Sequence, residues 1–471
     1  MGDRSYLEQA RDNAGKNDRA EALQVCNNPC MTEAQKRSCL RAWRMIDRRP
    51  KHSTQSQELG EYLDRQNRLV ADGIRQSQLQ TSSNIALSFT TTRISPTTWV
   101  IQEDDAFREH PLIYVKLYPE IPVVVLCDTG TDAPTEENKK VVGASTHLRA
   151  YLENTPINSN TDRPLNPDKH PYLIMQTHCH YDHTGGMAQF LRGGTTVFLA
   201  SGAGRDFIES DFARNGLYDD PNHPAPHYKI THWAGAFERL HWPQPFDGKT
   251  HVDEDGDECT PTLSNYQTLT CTDADNEDLD LGITIIHTAG HTPDELAWYD
   301  HAEMHLYVGD SFYLEGDEDM PIIFPDAGNL IEWVISIRKL AVFVRSENEK
   351  AAAAAALLPQ PSHLEEGIED EWQHVPARVK ISCAHTTTGV DGAEILAALE
   401  KFTYDVVSGK VPVARSEGEG RCVRDLWKMT EKTTMRMSIL APRKLMEEAR
   451  GFFRYRSERE DEASYSLFTR I

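Results

Sequence analysis

The residues His178-Cys179-His180-Tyr181-Asp182-His183 place three imidazoles and one carboxylate directly after the apolar run YLIM (172–175). On an extended chain His178 and His180 project to the same side, so both can reach one cation. Asp182 and His183 fall where the chain turns toward a helix, and they can face a second cation beside the first. Gly185 and Gly186 permit the tight turn that follows. Imidazole and carboxylate donors suit zinc first, with manganese or iron as alternatives. Two such ions about 3.5–4 Å apart can share a hydroxide near neutral pH and direct it at a carbonyl carbon. Asp182 can then pass a proton to the leaving group.

A pair of ions needs more ligands, and other segments offer them. Gly290-His291-Thr292 follows the run ITIIHTA, Gly309-Asp310-Ser311 follows HLYV, and Ala384-His385-Thr386 follows VKIS. Each is ambiguous by itself, but all stand at the C-terminal ends of apolar strands, where sites of α/β proteins gather. Asp128 in Cys127-Asp128-Thr129-Gly130 can be read as an ordinary turn aspartate.

The elements that must carry these residues follow from periodicity. IALSFTTTRI, TTWVI, LIYVKLY and VVVLCD read as successive β-strands, after which strands (172–178, 195–200, 283–289, 295–300, 304–310, 377–385) alternate with helical stretches at 207–214, 331–344 and 393–407. That order predicts a layered α/β domain with helices outside sheets over residues 83–410. Residues 1–82 read as a helical N-terminal extension, with a capping-box start at Thr32 and Gln35 and helical spacing of Leu59, Tyr62, Leu63, Leu69, Val70 and Ile74. That extension could dock on the main domain or form a homodimer contact. Residues 411–471 form a C-terminal extension. Two insertions are expected, at about 251–281 and at 346–376, where a run of alanines gives way to prolines and acids.

The 471 residues carry 49 Lys+Arg against 73 Asp+Glu, a formal −24. The terminal segments are each slightly basic, so residues 83–410 hold 22 basic and 52 acidic groups, a formal −30. Such a field argues against a nucleic-acid groove or an anionic membrane as partner and favours a small-molecule substrate. Residues 251–300 contain 13 acids and no Lys or Arg, and read as solvated loop rather than a calcium site. No apolar run reaches membrane-spanning length, and the N-terminus lacks a secretory core, so a cytoplasmic location is expected. The nine cysteines are an odd, scattered count, consistent with free thiols; the cluster Cys26, Cys30 and Cys39 lacks partners for a familiar zinc spacing.

Taken in order, Asp128 in CDTG, the HCHYDH run, His291 in AGHT, Asp310 in VGDS and His385 in CAHT resemble the motif series of the metallo-β-lactamase-fold hydrolases, over about residues 85–410. The resemblance implies a four-layer αβ/βα sandwich with a two-metal cleft. His178, His180 and His291 would hold the first ion, Asp182, His183 and His385 the second, and Asp310 would bridge them. Asp128 would hydrogen-bond the ligand loop without touching metal. The H-x-H-Y-D-H-x-G-G form is most similar to lactonase-type members, which implies a di-metal hydrolase opening a lactone, or a lactam or cyclic carbamate. Thioester hydrolysis and a non-catalytic metal-binding protein are the alternatives. Flavodi-iron members usually carry Glu where His180 stands, which disfavours a redox role.

Several neighbours stay open at this level. Cys179 should point away from the ligands by strand alternation. Tyr181 could face core or cleft, and Tyr313 could serve a substrate oxygen or pack in the core. His223, His227, His232, His241 and His251, with Trp233 and Trp242, could build a substrate wall, but no spacing selects among them.

Overall fold

A computed structural model describes residues 88–141, 145–191, 196–243, 251–252, 258–259, 278–316, 319–357, 377–429 and 435–459. The helical reading of residues 1–82, the cysteines at 26, 30 and 39, nearly all of the acidic insertion and residues 358–376 lie outside these. No helix of the described residues is long and apolar enough to cross a membrane.

The early strands form one sheet in sequence order: β1 (Phe89–Arg93), β2 (Thr98–Glu103), β3 (Leu112–Leu117), β4 (Val124–Cys127), β5 (Tyr172–Met175), β6 (Thr196–Ser201) and β7 (His232–Ala234). Pairing is antiparallel from β1 to β4 and parallel from β4 to β7. β8 (Arg239–Trp242) crosses to a second sheet, and two short strands, β9 (His251–Val252) and β10 (Glu258–Cys259), pair with each other. The second sheet adds β11 (Leu279–His287), β12 (Leu296–Asp300) and β13 (His305–Tyr307). β14 (Ile322–Ile323) belongs elsewhere, and β15 (Lys380–Ser382) and β16 (Val390–Asp391) complete the second sheet in the order β16-β15-β13-β12-β11-β8.

Alternation along the strands explains the layering. In β3 and β4, Ile113, Val115, Val124 and Leu126 face an outer core with Leu148, Tyr151, Leu152, Phe190 and Ile208 from the covering helices. Leu112, Tyr114, Val125 and Cys127 face the other way, toward Leu281, Ile283, Leu296 and Trp298 of the second sheet. Strands buried on both faces read as near-continuous apolar runs because each face has a partner. The far side of the second sheet packs Ala297 and Tyr299 on Trp333, Ile337, Leu340, Ile395 and Leu399. The result is the four-layer αβ/βα sandwich the sequence implies.

Two helices of that outer layer are α1 (Leu330–Ala356) and α2 (Gly392–Val407). Asn329 caps α1 by accepting from the main-chain N–H of Ile331 and Glu332, and Asp391 caps α2 through Ala393 and Glu394. Beyond α2, β17 (Arg415–Glu417), β18 (Arg424–Lys428) and β19 (Ser438–Pro442) follow, and β19 pairs in parallel with β14. Periodicity alone did not place this last sheet, because β14 is two residues long and its partner lies more than a hundred positions away.

Between the two large sheets lies a buried ion pair, Lys116 Nζ to Asp300 Oδ2 at 2.5 Å. Beside it Glu303 accepts from Ser95, Thr98 and both the hydroxyl and the main-chain N–H of Thr97. These contacts pin the end of the sandwich near the β1–β2 and β12–β13 turns. The opposite end carries the loops that follow β4, β5, β11, β13 and β15, and there the chemistry collects.

Candidate metal centre

Asp128 begins the loop after β4 in a left-handed conformation (φ 65°). Its Oδ1 accepts the main-chain N–H of Thr177 at 2.8 Å; its Oδ2 accepts the Thr177 hydroxyl at 2.8 Å and lies 3.0 Å from His183 Nδ1. The aspartate therefore sets both ends of the HCHYDH segment, and the alternative of a plain turn residue does not describe it. Gly185 follows where the chain passes against residues 129–131: a Cβ there would stand 2.2 Å from the Thr131 carbonyl oxygen. Gly309 is needed for a similar reason, since it has φ +55° and a Cβ would lie 2.5 Å from Glu295 Oε1.

Main-chain hydrogen bonds lock the loops to one another. Leu296 N–H donates to Thr177 O at 2.8 Å, Ala384 N–H to Gly309 O at 2.9 Å, and Asn329 N–H to Gly290 O at 2.7 Å. Glu295, fully buried, accepts the Asp310 N–H at 2.9 Å.

Two side-chain clusters result. His178, His180 and His291 form one, and Asp182, His183, Asp310 and His385 the other; within each, one potential ligand atom per residue lies within 4.8 Å of the rest. All seven are buried. In the first cluster His178 Nε2 lies 2.8 Å from His180 Nδ1, and His291 Nε2 lies 3.1 Å from that same nitrogen. His178 Nδ1 faces the Thr177 hydroxyl at 3.1 Å, which directs its Nε2 inward. Three ring nitrogens converging this closely cannot all be satisfied by sharing protons, whereas one cation satisfies all three.

In the second cluster His183 directs Nδ1 at Asp128, so its Nε2 faces Asp182 Oδ2 at 3.2 Å and Asp310 Oδ2 at 3.6 Å. His385 directs Nδ1 at the Glu109 carbonyl (3.1 Å), and its Nε2 faces Asp310 Oδ1 at 3.3 Å and Asp182 Oδ2 at 3.4 Å. His183 Nε2 and Asp310 Oδ1 are buried without a hydrogen-bond partner. Asp310 Oδ2 also stands 3.9 Å from His291 Nε2, so this one carboxylate reaches toward both clusters. Nitrogen and carboxylate donors with unmet capacity, each oriented from behind, fit a pair of divalent cations.

The electrostatics separate the two groups. Burial and the neighbouring imidazoles push the His178 and His180 pKa values well below the ordinary histidine value. Burial would lower His183 and His385 as well, but the carboxylates of Asp182 and Asp310 outweigh it and hold both well above that value. Burial would raise Asp182 and Asp310; the facing imidazoles outweigh it and hold both carboxyls well below the usual range.

Residues 124–346 match the model of the metallo-beta-lactamase superfamily. The fold is the metallo-β-lactamase fold. A protein of Aspergillus versicolor named "Putative transcription factor avaE" is 26% identical over 370 residues, covering 78% of this chain and 90% of that protein. Among solved structures, a metallo-beta-lactamase from Pontibacter korlensis is 13% identical with a TM-score of 0.37, covering 67% of this chain and 99% of the other. A metallo-beta-lactamase from Hirschia baltica is 14% identical with a TM-score of 0.36, covering 67% of this chain and 97% of the other. Within the metallo-β-lactamase fold of this chain, the paired clusters support a metal-dependent hydrolase site for two divalent ions.

The open neighbours take definite places. Cys179 is fully buried in the outer core of the first sheet, and burial pushes its thiol pKa well up. Tyr313 packs its ring on His385 at 5.4 Å but donates its hydroxyl to the Pro321 carbonyl at 2.9 Å. Tyr181 donates to Glu109 Oε1 at 2.5 Å and packs edge-on against Phe107. His223 stacks on Tyr218 and meets Phe107 at 5.1 Å, so of the histidines between the second and third motifs this one joins the aromatic wall beside the second cluster. His232 pairs with Glu238 at 2.6 Å, His241 faces the Arg239 carbonyl, and Trp242 lies in the core between the sheets. His227 is exposed, Trp233 packs at the edge of the first sheet's outer core, and the His251 ring is outside the described residues. Thr177, Glu109, Glu295 and Tyr218 were not singled out from sequence. Thr177 adjoins the HCHYDH run and could have been suspected; the others carry no spacing signal.

Proposed function

We propose that this chain is a di-metal hydrolase of the metallo-β-lactamase superfamily that opens a small cyclic ester or amide, a lactone first and a lactam or cyclic carbamate second. The reading rests on the placement of Asp310 between an all-imidazole cluster and a mixed carboxylate and imidazole cluster, within reach of His183, His291 and His385. In this reading His178 Nε2, His180 Nδ1 and His291 Nε2 would hold one ion. Asp182, His183 Nε2 and His385 Nε2 would hold the other, with Asp310 within reach of both clusters. When bound, two divalent cations, with zinc the first choice, would supply polarisation of a carbonyl oxygen and activation of water near neutral pH.

The protein's own part is orientation and proton handling. Asp128 and the Glu109 carbonyl fix which nitrogen of His183 and of His385 faces inward. In this reading Asp182 would receive a proton and return it to the departing oxygen or nitrogen. The half-buried rings of Phe107, Tyr218 and His223, with Tyr181, favour an apolar, uncharged substrate body, and the −30 charge of residues 83–410 disfavours polyanions. The name of the Aspergillus relative suggests a regulatory role, which the same acidic field makes a weaker reading for this chain. Thioester hydrolysis is the second enzymatic reading, since the same site would accept a thiolate leaving group. Zinc-loaded protein assayed at matched concentrations on lactones, lactams and acyl thioesters tests the proposal. Lactone opening abolished by chelation and restored by metal is expected; turnover confined to thioesters would move the assignment to the second reading.

A further inference from the structure

We propose that Asp105 is a positioning residue for His385, far away in sequence, acting through the loop Asp104–Pro111; this rests on the reading of His385 as a ligand of the second ion. The Asp105 side chain is fully buried, and its two oxygens accept three main-chain donors of its own loop. Oδ1 takes Phe107 N–H at 2.7 Å and Glu109 N–H at 3.3 Å, and Oδ2 takes His110 N–H at 2.7 Å. The loop also hydrogen-bonds Ala106 N–H to the Ala133 carbonyl at 2.7 Å.

That arrangement holds a backbone that would not persist unaided. Arg108 and His110 both adopt left-handed conformations, with φ of 61° and 50°, and neither is glycine, asparagine or aspartate. Residues held so are strained and need surrounding structure to over-determine them. The Asp105 carboxylate supplies that, because it collects the donors on both sides of Arg108.

The product of the strained turn is the position of Glu109. Its carbonyl accepts His385 Nδ1–H at 3.1 Å, which leaves Nε2 as the inward nitrogen, facing Asp182 and Asp310. Its carboxylate accepts the Tyr181 hydroxyl, tying the loop to the residue just before Asp182. Without Asp105 the three N–H groups lose their acceptor, the turn relaxes, and the Glu109 carbonyl leaves His385 free to change rotamer or tautomer. The first cluster makes none of these contacts: His178 is oriented by Thr177, and His180 and His291 face each other. The effect should therefore fall on one ion.

Stepwise zinc titration of Asp105→Ala and Asp105→Asn, beside the native chain, reads this directly. The native chain should take two equivalents. In Asp105→Ala the first should bind as in the native chain and the second about ten- to a hundredfold more weakly, as for loss of a group that orients a ligand. Asp105→Asn, which keeps one acceptor oxygen, should fall between. A second readout is the His385 Nδ1–H resonance of the zinc-loaded protein, expected to be slowly exchanging in the native chain and broadened or lost in both variants. A folded Asp105→Ala chain with native affinity for the second equivalent overturns the proposal, as does equal weakening of both equivalents in either variant. Should Asp105→Ala not fold, Asp105→Asn decides on the same two readouts. A native chain that binds fewer than two equivalents instead sinks the underlying reading of the site.

Discussion

The two ligand clusters sit side by side yet are built on opposite principles. The first is three imidazoles with no carboxylate of its own; the second interleaves two imidazoles with two carboxylates. Burial works with the first, keeping His178 and His180 neutral and ready to donate lone pairs. In the second it is overridden, because opposite charges at 3.2–3.6 Å stabilise one another. On the proposed reading, an ion at the neutral cluster would keep its full charge for polarising a substrate, while the charged cluster would compensate its ion and offer a carboxylate for proton transfer. The asymmetry teaches which side does what, and it can be attacked from several directions.

The most damaging change should be at the residue the two clusters share. Asp310→Ala removes the carboxylate that reaches His183, His291 and His385, and leaves buried imidazoles without their counter-charge. Hydrolytic kcat/KM is expected to fall by about a thousandfold or more, equivalent to about 4 kcal/mol of lost transition-state stabilisation, with the second equivalent of metal lost first. A residual activity within tenfold of native would show that the clusters do not act as a unit.

Asp128→Ala should have the next largest effect, about ten- to a hundredfold on affinity for the second ion. It removes the group that directs His183 Nδ1 and that accepts both donors of Thr177. Because Thr177 in turn orients His178, a smaller loss at the first ion should accompany it. Equilibrium titration of each equivalent measures both.

Proton release distinguishes the clusters without any mutation. In the metal-free protein His183 and His385 have raised pKa values, so the stability they contribute is fully present below the ordinary histidine pKa and is lost as pH rises through the raised folded value. Near neutral pH they are protonated, and a cation must displace those protons. His178 and His180, with lowered values, are neutral there and have none to give. Calorimetric titration in buffers of different ionisation heat should show about zero protons released with the equivalent bound at the first cluster and up to about two with the other. Equal release would remove the proposed asymmetry.

The smallest expected effect is at Tyr313. Its hydroxyl is committed to the Pro321 carbonyl, so Tyr313→Phe should cost about 1 kcal/mol of stability and change kcat by less than about threefold, measured by thermal melts and steady-state kinetics. A loss beyond about a hundredfold in kcat would restore a role on substrate.

How far the sequence spoke depends on how local the information was. The HCHYDH run was legible because its donors are separated by one or two residues, and the strand ends bearing His291, Asp310 and His385 were legible because apolar runs mark them. Which of Leu112, Ile113, Tyr114 and Val115 face which layer was not legible, because both faces of that strand are apolar. The hold of Asp105 on Glu109, and of Glu109 on His385, was not legible, since it joins residues 276 positions apart through a main-chain carbonyl that any residue type could supply. Glu295 was hidden too: its carboxyl accepts the Asp310 N–H and crowds Gly309, contacts between segments that no local spacing joins. Cys179 was readable as pointing away from the ligands, because its neighbours on both sides had to point in.

The central claim is that two ions share this site, and crystals of the zinc-loaded protein measured at the zinc absorption edge test it most directly. Two anomalous peaks about 3.5–4 Å apart are expected, one among His178, His180 and His291 and the other among Asp182, His183 and His385, with Asp310 between them. A single peak at full zinc saturation, or peaks away from these residues, would contradict the account.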